Sequence, residues 1–429
     1  MSTESQRTPV VHVYDTTLRD GTQGEGMSLS CDDKIKIAER LDAFGVSFIE
    51  GGWPGSNPKD VEFFERAKDI RWTNARITAF GSTRKANVAA EEDPQLVKLV
   101  EAGTSVCTIF GKTSTMHVTE ILRTSLDINL EMIESSLRFL VDQKRHAIYD
   151  AEHFFDGYKL DAGYALATLR AAQRGGASTL VLCDTNGGSM PWEVDEIVRV
   201  VLAELGPDIE LGAHVHDDGG CGVANTLAAV RAGVRHVQGT INGYGERCGN
   251  ANLCAIIPDI ELKLGLSCLP PGRLSELYDL SHFVAEVANV PANEHAAYVG
   301  RSAFAHKGGV HVAAIRRDPG SYQHIVPELV GNECRVVVSE LSGRANVLSK
   351  AEELGVRVSS VEGAAVLEQI KRAEAQGFAY EAAEASVALL IARSEAGYEA
   401  PFEVLEFQTA VGRLRGTEMF SGATLKWRV

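Results

Sequence analysis

Leu41-Asp42-Ala43-Phe44-Gly45 runs directly into the apolar segment Val46–Glu50. Glycine can end a helix in the left-handed conformation without steric cost, and a short apolar run after it is typical of a buried strand. The same junction recurs at Gly103, Gly176 and Gly233, each time before another apolar run. Short connections from helices into buried strands indicate βα units and a parallel sheet.

Apolar runs predict eight strands in the first 240 residues, with helical stretches between them. In the first helix, Ser30 is a candidate cap, Asp33 lies near the positive end, and Gly45 is the expected end. Eight βα units in about 250 residues favour a TIM barrel, and a doubly wound open sheet is the alternative. The predicted strands are Val10–Tyr14, Ser47–Glu50, Arg76–Phe80, Ser105–Phe110, His146–Tyr149, Thr179–Cys183, Glu210–Val215 and His236–Thr240.

The pattern changes after about Leu266, and Leu269-Pro270-Pro271-Gly272 indicates a domain boundary. Beyond it we expect a helix at Leu274–Ala288, a loop-rich segment at Pro291–Gly331, mostly helical chain at Asn346–Ala396, and strands at Phe402–Arg413 and Ala423–Val429. Two or three strands are too few for a stable domain, so we predict a truncated third domain. The predicted domains are 1–268 (TIM-barrel catalytic domain), 269–331 (linker subdomain), 332–399 (helical subdomain) and 400–429 (beginning of the truncated domain).

Composition limits the class of function. The chain has 58 acidic and 42 basic residues and a net charge of -16, without a basic block, so we expect no nucleic-acid partner. No apolar run approaches the roughly 18 residues of a membrane span, and Met1–Pro9 lacks the apolar core of a secretory signal. The eight cysteines form no Cys-x-x-Cys pair, which predicts reduced thiols in a cytoplasmic protein.

Two histidines, His214 and His216, stand at the end of the seventh predicted strand. Residues two apart on a strand point to the same face, which at the end of a barrel strand is the mouth. Two neutral imidazoles there are good ligands for a divalent metal. The alternative is one core and one surface histidine, but the strand-end position and the following Asp217-Asp218 favour the metal.

Asp20 lies beside Arg19 in the loop after the first predicted strand. Its carboxylate would complete an Asp/His/His set and suits Mg²⁺ or Mn²⁺ as well as Zn²⁺. Arg19 can stabilise a developing oxyanion or a substrate carboxylate. The alternative is an ion pair that closes the turn at Gly21.

Three further polar residues follow other predicted strands. Asn250 lies in a glycine-rich loop and offers an amide oxygen to a metal, although it can also be an ordinary turn residue. Glu152 and Thr185 follow the fifth and sixth strands, where such groups position substrate, move protons or cap helices. Polar groups thus end strands one, five, six, seven and eight, and this shared face predicts an active site.

Two stretches of this sequence are similar to signatures of one enzyme family. Leu18–Gln23, followed by ten residues and Lys34, resembles one signature of the 2-isopropylmalate, homocitrate and citramalate synthases. Leu211–Asn225 resembles the second. Asp15–Gly26 and Ala151–Lys159 look most like the (R)-citramalate synthases within that family. The resemblance extends over nearly the whole chain, from about Val10 to Val429. It implies that Phe402–Val429 is the beginning of a truncated α/β regulatory domain.

The resemblance implies an acyltransferase that condenses acetyl-CoA with pyruvate, giving (R)-citramalate and CoA in isoleucine biosynthesis. It implies a divalent metal (Mg, Mn or Zn) and an arginine, Arg19, at the reacting oxygen. Glu152 and Thr185 match positions that hold the α-keto acid. The implied metal ligands are Asp20, His214, His216 and Asn250.

The resemblance also implies a catalytic residue beyond the barrel, His311 in Gly308-Gly309-Val310-His311, with Tyr322 nearby. In the family these two residues reach the active site of the partner subunit, so the linker subdomain would complete that site in a homodimer. The chain departs from several relatives at Ala313, where they carry an acidic residue, and this argues against a proton relay there.

Three alternatives remain open at this point. The keto acid can be larger, such as 2-ketoisovalerate or 2-oxoglutarate, if the pocket near Ala79 and Thr108 is wide. The same scaffold also supports metal-dependent lyases, against which His311 and Tyr322 argue. The third alternative is a metal-binding barrel without catalytic activity.

Overall fold

Eight parallel strands close into a barrel in which the last strand pairs with the first, His12 opposite His236. This closure confirms the TIM-barrel prediction and excludes the open sheet. The strands are β1 (His12–Asp15), β2 (Phe48–Gly52), β3 (Arg76–Ser82), β4 (Val106–Lys112), β5 (His146–Glu152), β6 (Thr179–Asp184), β7 (Glu210–Val215) and β8 (His236–Gly239).

The structure, a computed structural model, describes residues 10–429 except 207, 316, 340–341, 354, 356–357, 382, 396 and 414–418. It divides into two units. The first comprises the barrel and its helices up to Phe304, together with Ile325–Glu333. The second comprises Ala305–His324 and Cys334–Val429.

Helices cover the outside of the barrel. The first begins in a capping box, in which Ser30 Oγ accepts from the Asp33 amide and Asp33 Oδ2 accepts from the Ser30 amide. It ends at Gly45, whose φ is +104°, so the predicted start and end are confirmed. The helices of this unit are α1 (Cys31–Phe44), α2 (Pro58–Ala67), α3 (Pro94–Glu101), α4 (Leu126–Asp142), α5 (Phe154–Leu160), α6 (Ala162–Arg174), α7 (Pro191–Leu205), α8 (Gly222–Ala232), α9 (Leu253–Pro258) and α10 (Leu277–Ala288).

The core of the first unit has two layers. The larger one lies between the strands and the surrounding helices. The smaller one fills the barrel itself with side chains from several strands, as expected for this fold. Its members are Tyr14, Phe48, Val106, Ile148, Val181 and Cys183. The barrel is therefore a packed scaffold, and its open space lies at its ends.

Some strands extend beyond the apolar runs that predicted them. The apolar run of β5 ends at Tyr149, but the strand continues to Glu152 because Ala151 and Glu152 still pair with Gly111 and Lys112 of β4. Polar residues at the barrel mouth remain in the hydrogen-bonded ladder although they break the apolar pattern. Predicted active-site residues such as Glu152 are thus held on strands as well as on loops.

The second unit combines helices with a β-hairpin. Three of its helices enclose a small apolar core that includes Val347, Val366 and Ile391. Its last two strands form an antiparallel hairpin. The elements are β9 (Ala305–His306), α11 (Gly309–Ile315), β10 (Arg335–Val336), α12 (Arg344–Glu353), α13 (Ser360–Glu374), α14 (Glu384–Ser394), β11 (Glu403–Arg413) and β12 (Met419–Arg428). Among the described residues, no helix has the length and apolarity that crossing a membrane requires.

Candidate active site

One carboxylate and two imidazoles meet at the mouth of the barrel. Asp20 follows β1, His214 lies on β7 and His216 follows it. Asp20 Oδ2 lies 3.2 Å from His214 Nε2 and 3.9 Å from His216 Nε2. The two Nε2 atoms are 3.3 Å apart, and all three side chains are buried. In the part of the chain that the structure describes, no other three His, Cys, Asp or Glu side chains form such a group.

Asn250, in the loop after β8, is the fourth member of this group. We call Asp20, His214, His216 and Asn250 the candidate ligand group. Its Nδ2 donates to Asp20 Oδ2 at 3.0 Å and lies 3.3 Å from His214 Nε2. Its Oδ1 is buried without a hydrogen-bond partner. Rotation of the amide would turn this oxygen toward the same point as the carboxylate and the two imidazoles. Such a set of oxygen and nitrogen donors fits a divalent cation.

Gln238 orients the His214 ring. Its Oε1 lies 2.8 Å from His214 Nδ1, and its Nε2 donates to Asp150 Oδ1 at 3.0 Å. Because the amide oxygen can only accept, Nδ1 of His214 carries a proton, and Nε2 is the nitrogen that faces the site. Burial raises the pKa of Asp150, at the far end of this chain of bonds, to about 7.

Arg19 lies against the candidate ligand group and is held in place by Glu50. Its Nε donates to Glu50 Oε1, and its Nη1 is 3.4 Å from Asp20 Oδ1. The guanidinium also packs on the ring of Phe80, 3.7 Å from its centre. Glu50 is fully buried and accepts further bonds from Tyr14 and Thr16. The arginine is therefore fixed in place before any substrate binds.

The charges of the candidate ligand group suit metal binding. Burial favours the neutral form of Asp20, but Arg19 and His214 hold the pKa of its carboxyl well below the usual range. Burial, together with the neighbouring His214, lowers the pKa of His216 to about 4. At neutral pH the site thus holds a carboxylate and, at His216, a neutral imidazole, which is the form that binds a metal.

A cavity of about 210 Å³ lies above the candidate ligand group and has an aromatic wall. Phe80 and Phe110 stack with their ring centres 5.6 Å apart, and Trp53 meets both rings edge-on. The sequence suggested Ala79 and Thr108 for this wall, but both are buried in the barrel. Side chains alternate along a strand, so Phe80 faces the cavity and Ala79 points away from it. Thr108 points to the same side as Phe110 but lies deeper in the barrel, where it accepts from the Tyr14 hydroxyl.

Glu152 and Thr185 both line this cavity. Glu152 forms an ion pair with Lys112 at the end of β4. Thr185 Oγ1 accepts from the His153 amide at 2.8 Å. Six of the predicted residues therefore border one small space: Arg19, Asp20, Glu152, Thr185, His214 and His216.

His311 and Tyr322 belong to the second unit. Their rings stack with centres 4.3 Å apart and planes inclined by 27°. The structure thus brings these two predicted residues together. Their catalytic roles stay a prediction.

Sequence reasoning missed the residues that hold the predicted ones in place. Glu50 ends the second predicted strand, and Asp150 directly follows the fifth, so the strand-end signal used elsewhere applied to both. Gln238 is a polar residue inside a predicted buried strand. A buried polar side chain needs a hydrogen-bond partner, so Gln238 could have been predicted to contact another polar residue inside the barrel.

Comparison with known proteins assigns the chain to a family. Residues 10–284 match the HMGL-like family, and residues 298–377 match the "Homocitrate synthase post-HMGL domain-like" family. The (R)-citramalate synthase of Geobacter sulfurreducens is 53% identical over 93% of this chain and 76% of its own length. The chain belongs to the HMGL-like family, among its (R)-citramalate synthases.

Other HMGL-like proteins follow at decreasing similarity. The (R)-citramalate synthase of Aquifex aeolicus is 52% identical over 89% of this chain and 73% of its own. The 2-isopropylmalate synthase of Sulfolobus acidocaldarius is 33% identical over 84% and 90%. Hydroxymethylglutaryl-CoA lyase from Pseudomonas aeruginosa has a TM-score of 0.56 at 19% identity, covering 66% of this chain and 95% of its own. At that identity, the match shows a shared fold only.

Proposed function

We propose that this chain condenses acetyl-CoA with pyruvate in a Claisen-type reaction and hydrolyses the product to (R)-citramalate and CoA. The observation that carries this proposal is the convergence of Asp20, His214, His216 and Arg19 on one small cavity. Identity of about half to several (R)-citramalate synthases supports pyruvate as the keto acid. Isoleucine biosynthesis is the proposed pathway.

Asp20, His214, His216 and Asn250 would hold a divalent cation, with Mg²⁺, Mn²⁺ and Zn²⁺ as candidates. When bound there, such a cation would polarise the keto group of pyruvate. Gln238 keeps Nε2 of His214 directed at the site. Glu152 and Thr185, which line the cavity, would orient the keto acid.

Arg19 would stabilise the charge that develops during carbon–carbon bond formation. The enolate of acetyl-CoA attacks the keto carbon, and the keto oxygen becomes an alkoxide. A fixed guanidinium beside this oxygen stabilises the transition state without reorganisation. The bond from Arg19 to buried Glu50 supports this role because it fixes the guanidinium in advance.

We assign removal of the methyl proton of acetyl-CoA to His311. The base takes the proton, the enolate forms the new bond, and the alkoxide is then protonated. Water finally attacks the thioester carbonyl and CoA leaves as its thiol. Contact between the His311 and Tyr322 rings supports a shared role for the pair.

The proposal includes a homodimer, in which each linker subdomain reaches the active site of the partner subunit. It also includes a cytoplasmic location, which the lack of a Cys-x-x-Cys pair in the sequence supports because reduced thiols suit a reducing compartment. Analytical ultracentrifugation tests the dimer, and a sedimenting monomer that is fully active would overturn it.

The test of function is the release of free CoA thiol from acetyl-CoA. The keto acids are pyruvate, 2-ketobutyrate, 2-ketoisovalerate and 2-oxoglutarate, each with divalent metal and with chelator. We expect metal-dependent release with pyruvate and formation of the R enantiomer. Preference for a branched or dicarboxylic keto acid would overturn the substrate assignment, and no release with any of them would overturn the function.

Two aspartate variants test whether the reaction takes place at the candidate site. Asp20→Asn removes the carboxylate charge from the candidate ligand group and should abolish release. Asp69→Asn, at an exposed aspartate, is the matched control and should leave activity unchanged. Full activity of Asp20→Asn would contradict the proposed role of this group.

A further inference from the structure

The end of the barrel opposite the active site carries a second set of ionisable side chains. They come from the first residues of strands, whereas the active-site residues come from strand ends. This group is therefore separate from the site described above, and an inference about it does not depend on the proposed function. Its members are His12, Arg76, His146, Glu210 and His236, together with the ring of Phe48.

A cavity of about 470 Å³ opens among these side chains. Arg76, His146 and Glu210 supply its polar wall. Phe48 and Leu269, both mostly buried, supply part of its apolar wall. A cavity of this size with one polar and one apolar side matches an amphiphilic small molecule.

The Arg76 side chain is a charged group of this cavity that the described residues leave without a counter-ion. Within the described residues, its guanidinium takes part in no hydrogen bond and no ion pair, and the nearest interaction is with the ring of Phe48 at 5.6 Å. Burial lowers the pKa of Arg76, and no neighbouring carboxylate offsets this effect. A guanidinium carries five N–H donors, and a bound carboxylate would give this half-buried group an acceptor that the described residues do not supply.

Glu210 does not serve as that counter-ion. It accepts from His12 Nδ1 at 3.0 Å, and its carboxylate lies 3.8 Å from Nδ1 of the fully buried His236. The hydrogen bond to Glu210 raises the pKa of His12, so the two residues tend to neutralise each other. Nδ1 of His236 and Nε2 of His146 are buried without hydrogen-bond partners. Among the side chains that the structure describes in this cavity, the charge without a partner of opposite sign is that of Arg76.

We propose that this cavity binds a small organic carboxylate, with its charged group on Arg76 and its apolar body against Phe48 and Leu269. A guanidinium matches a carboxylate with two parallel hydrogen bonds. Polar residues at this end of a TIM barrel ordinarily stabilise the fold. A purely stabilising role would leave Arg76 paired with a neighbour, as His12 and Glu210 are paired.

Binding of isovalerate tests this site, because isovalerate carries one carboxylate and a short apolar body. The experiment uses the Arg19→Gln variant in the presence of chelator. This removes the Arg19 guanidinium and any bound metal, so that the carboxylate cannot bind at the barrel mouth instead. Equilibrium dialysis with radiolabelled isovalerate should show binding to Arg19→Gln. Arg19→Gln/Arg76→Gln should bind roughly 10- to 100-fold more weakly, as expected when a charge-assisted hydrogen bond is lost. Arg19→Gln/Arg71→Gln, at an exposed arginine nearby, should bind as Arg19→Gln does.

Competition on the Arg19→Gln chain gives a second measurement that does not need the Arg76 variant to fold. Isovaleramide has the same shape without the charge and should not displace isovalerate. Inorganic phosphate has the charge without the apolar body and should displace it weakly. Equal binding with and without Arg76, displacement by isovaleramide, or phosphate binding as tight as isovalerate would each overturn the proposal.

Discussion

Gln238 determines which nitrogen of His214 faces the active-site cavity, since its oxygen accepts from Nδ1 while its own amide donates to Asp150. Replacing Gln238 with Leu removes both bonds and leaves the ring free to rotate. We expect metal affinity to fall about 10- to 100-fold, as for other residues that orient a metal ligand. Mn²⁺ titration followed by electron paramagnetic resonance measures this change.

Gln173→Leu, at an exposed position on α6, is the control for that substitution and should keep the affinity of the parent chain. If Gln238→Leu binds Mn²⁺ as tightly as the control does, the orientation of His214 does not depend on this bond.

His12 gives the protein a pH-dependent contribution to stability. The hydrogen bond to Glu210 raises its pKa in the folded state above the unfolded value. The contribution is thus fully present below about pH 6.5 and is lost as the pH rises through the folded pKa. His12→Asn keeps a neutral donor and removes the charge. The loss in free energy of unfolding should be larger at about pH 6 than at about pH 8.5, as measured by urea denaturation.

Glu210→Gln provides the check on this prediction. In a Glu210→Gln background, the effect of His12→Asn should no longer depend on pH in this range. A pH dependence that persists there would show that another group is responsible.

At this scale the sequence predicted the residues that carry the chemistry better than those that support them. Asp20, His214 and His216 were accessible because their side-chain types and strand-end positions indicate a metal site directly. The bond from Glu50 to Arg19 joins residues 31 positions apart, and it depends on the neighbouring positions of β1 and β2. Strand order and register decide such contacts, and no local pattern in the sequence contains them.

Among the elements, α1 shows how a helix start is fixed by two side chains. Ser30→Ala removes the hydroxyl that accepts from the Asp33 amide. Loss of an N-cap costs about 1 kcal/mol of stability. Urea denaturation should show this decrease, whereas Ser30→Thr, which retains a hydroxyl, should lose less. Equal losses for the two variants would mean that the cap does not stabilise α1.

Element types followed from the sequence more reliably than element ends. The junction at Gly45 predicted α1 and β2, because left-handed glycine and an apolar run are local signals. The predicted helix at Leu274–Ala288 begins only at Leu277, since its first turn is a 3₁₀ helix at Arg273–Glu276. Whether a first turn is α or 3₁₀ depends on the packing around it, which sequence pattern does not report.

In the whole molecule, the candidate ligand group joins neighbouring strands of the barrel that are far apart in the sequence. Asp20 follows β1, His214 belongs to β7 and Asn250 follows β8. A cation bound to all of them would stabilise the folded chain by about 2.7 kcal/mol at 100 times its dissociation constant. Thermal unfolding should therefore shift upward with Mn²⁺, and a chelator should reverse the shift.

Two variants test this prediction of metal-linked stability. Asp20→Asn should show little or no Mn²⁺-dependent shift, and Asp69→Asn should show the full shift. An equal shift in both would place the stabilising cation elsewhere in the molecule.

The aromatic wall of the active-site cavity has a consequence for how this enzyme family diverges. Trp53 and Phe110 are only partly buried, whereas Phe80 is buried and carries the Arg19 guanidinium on its ring. A substitution at Trp53 or Phe110 therefore reshapes the cavity at less cost to the core and to Arg19 than one at Phe80. Along a lineage, we expect new substrate preferences to arise first at these two positions.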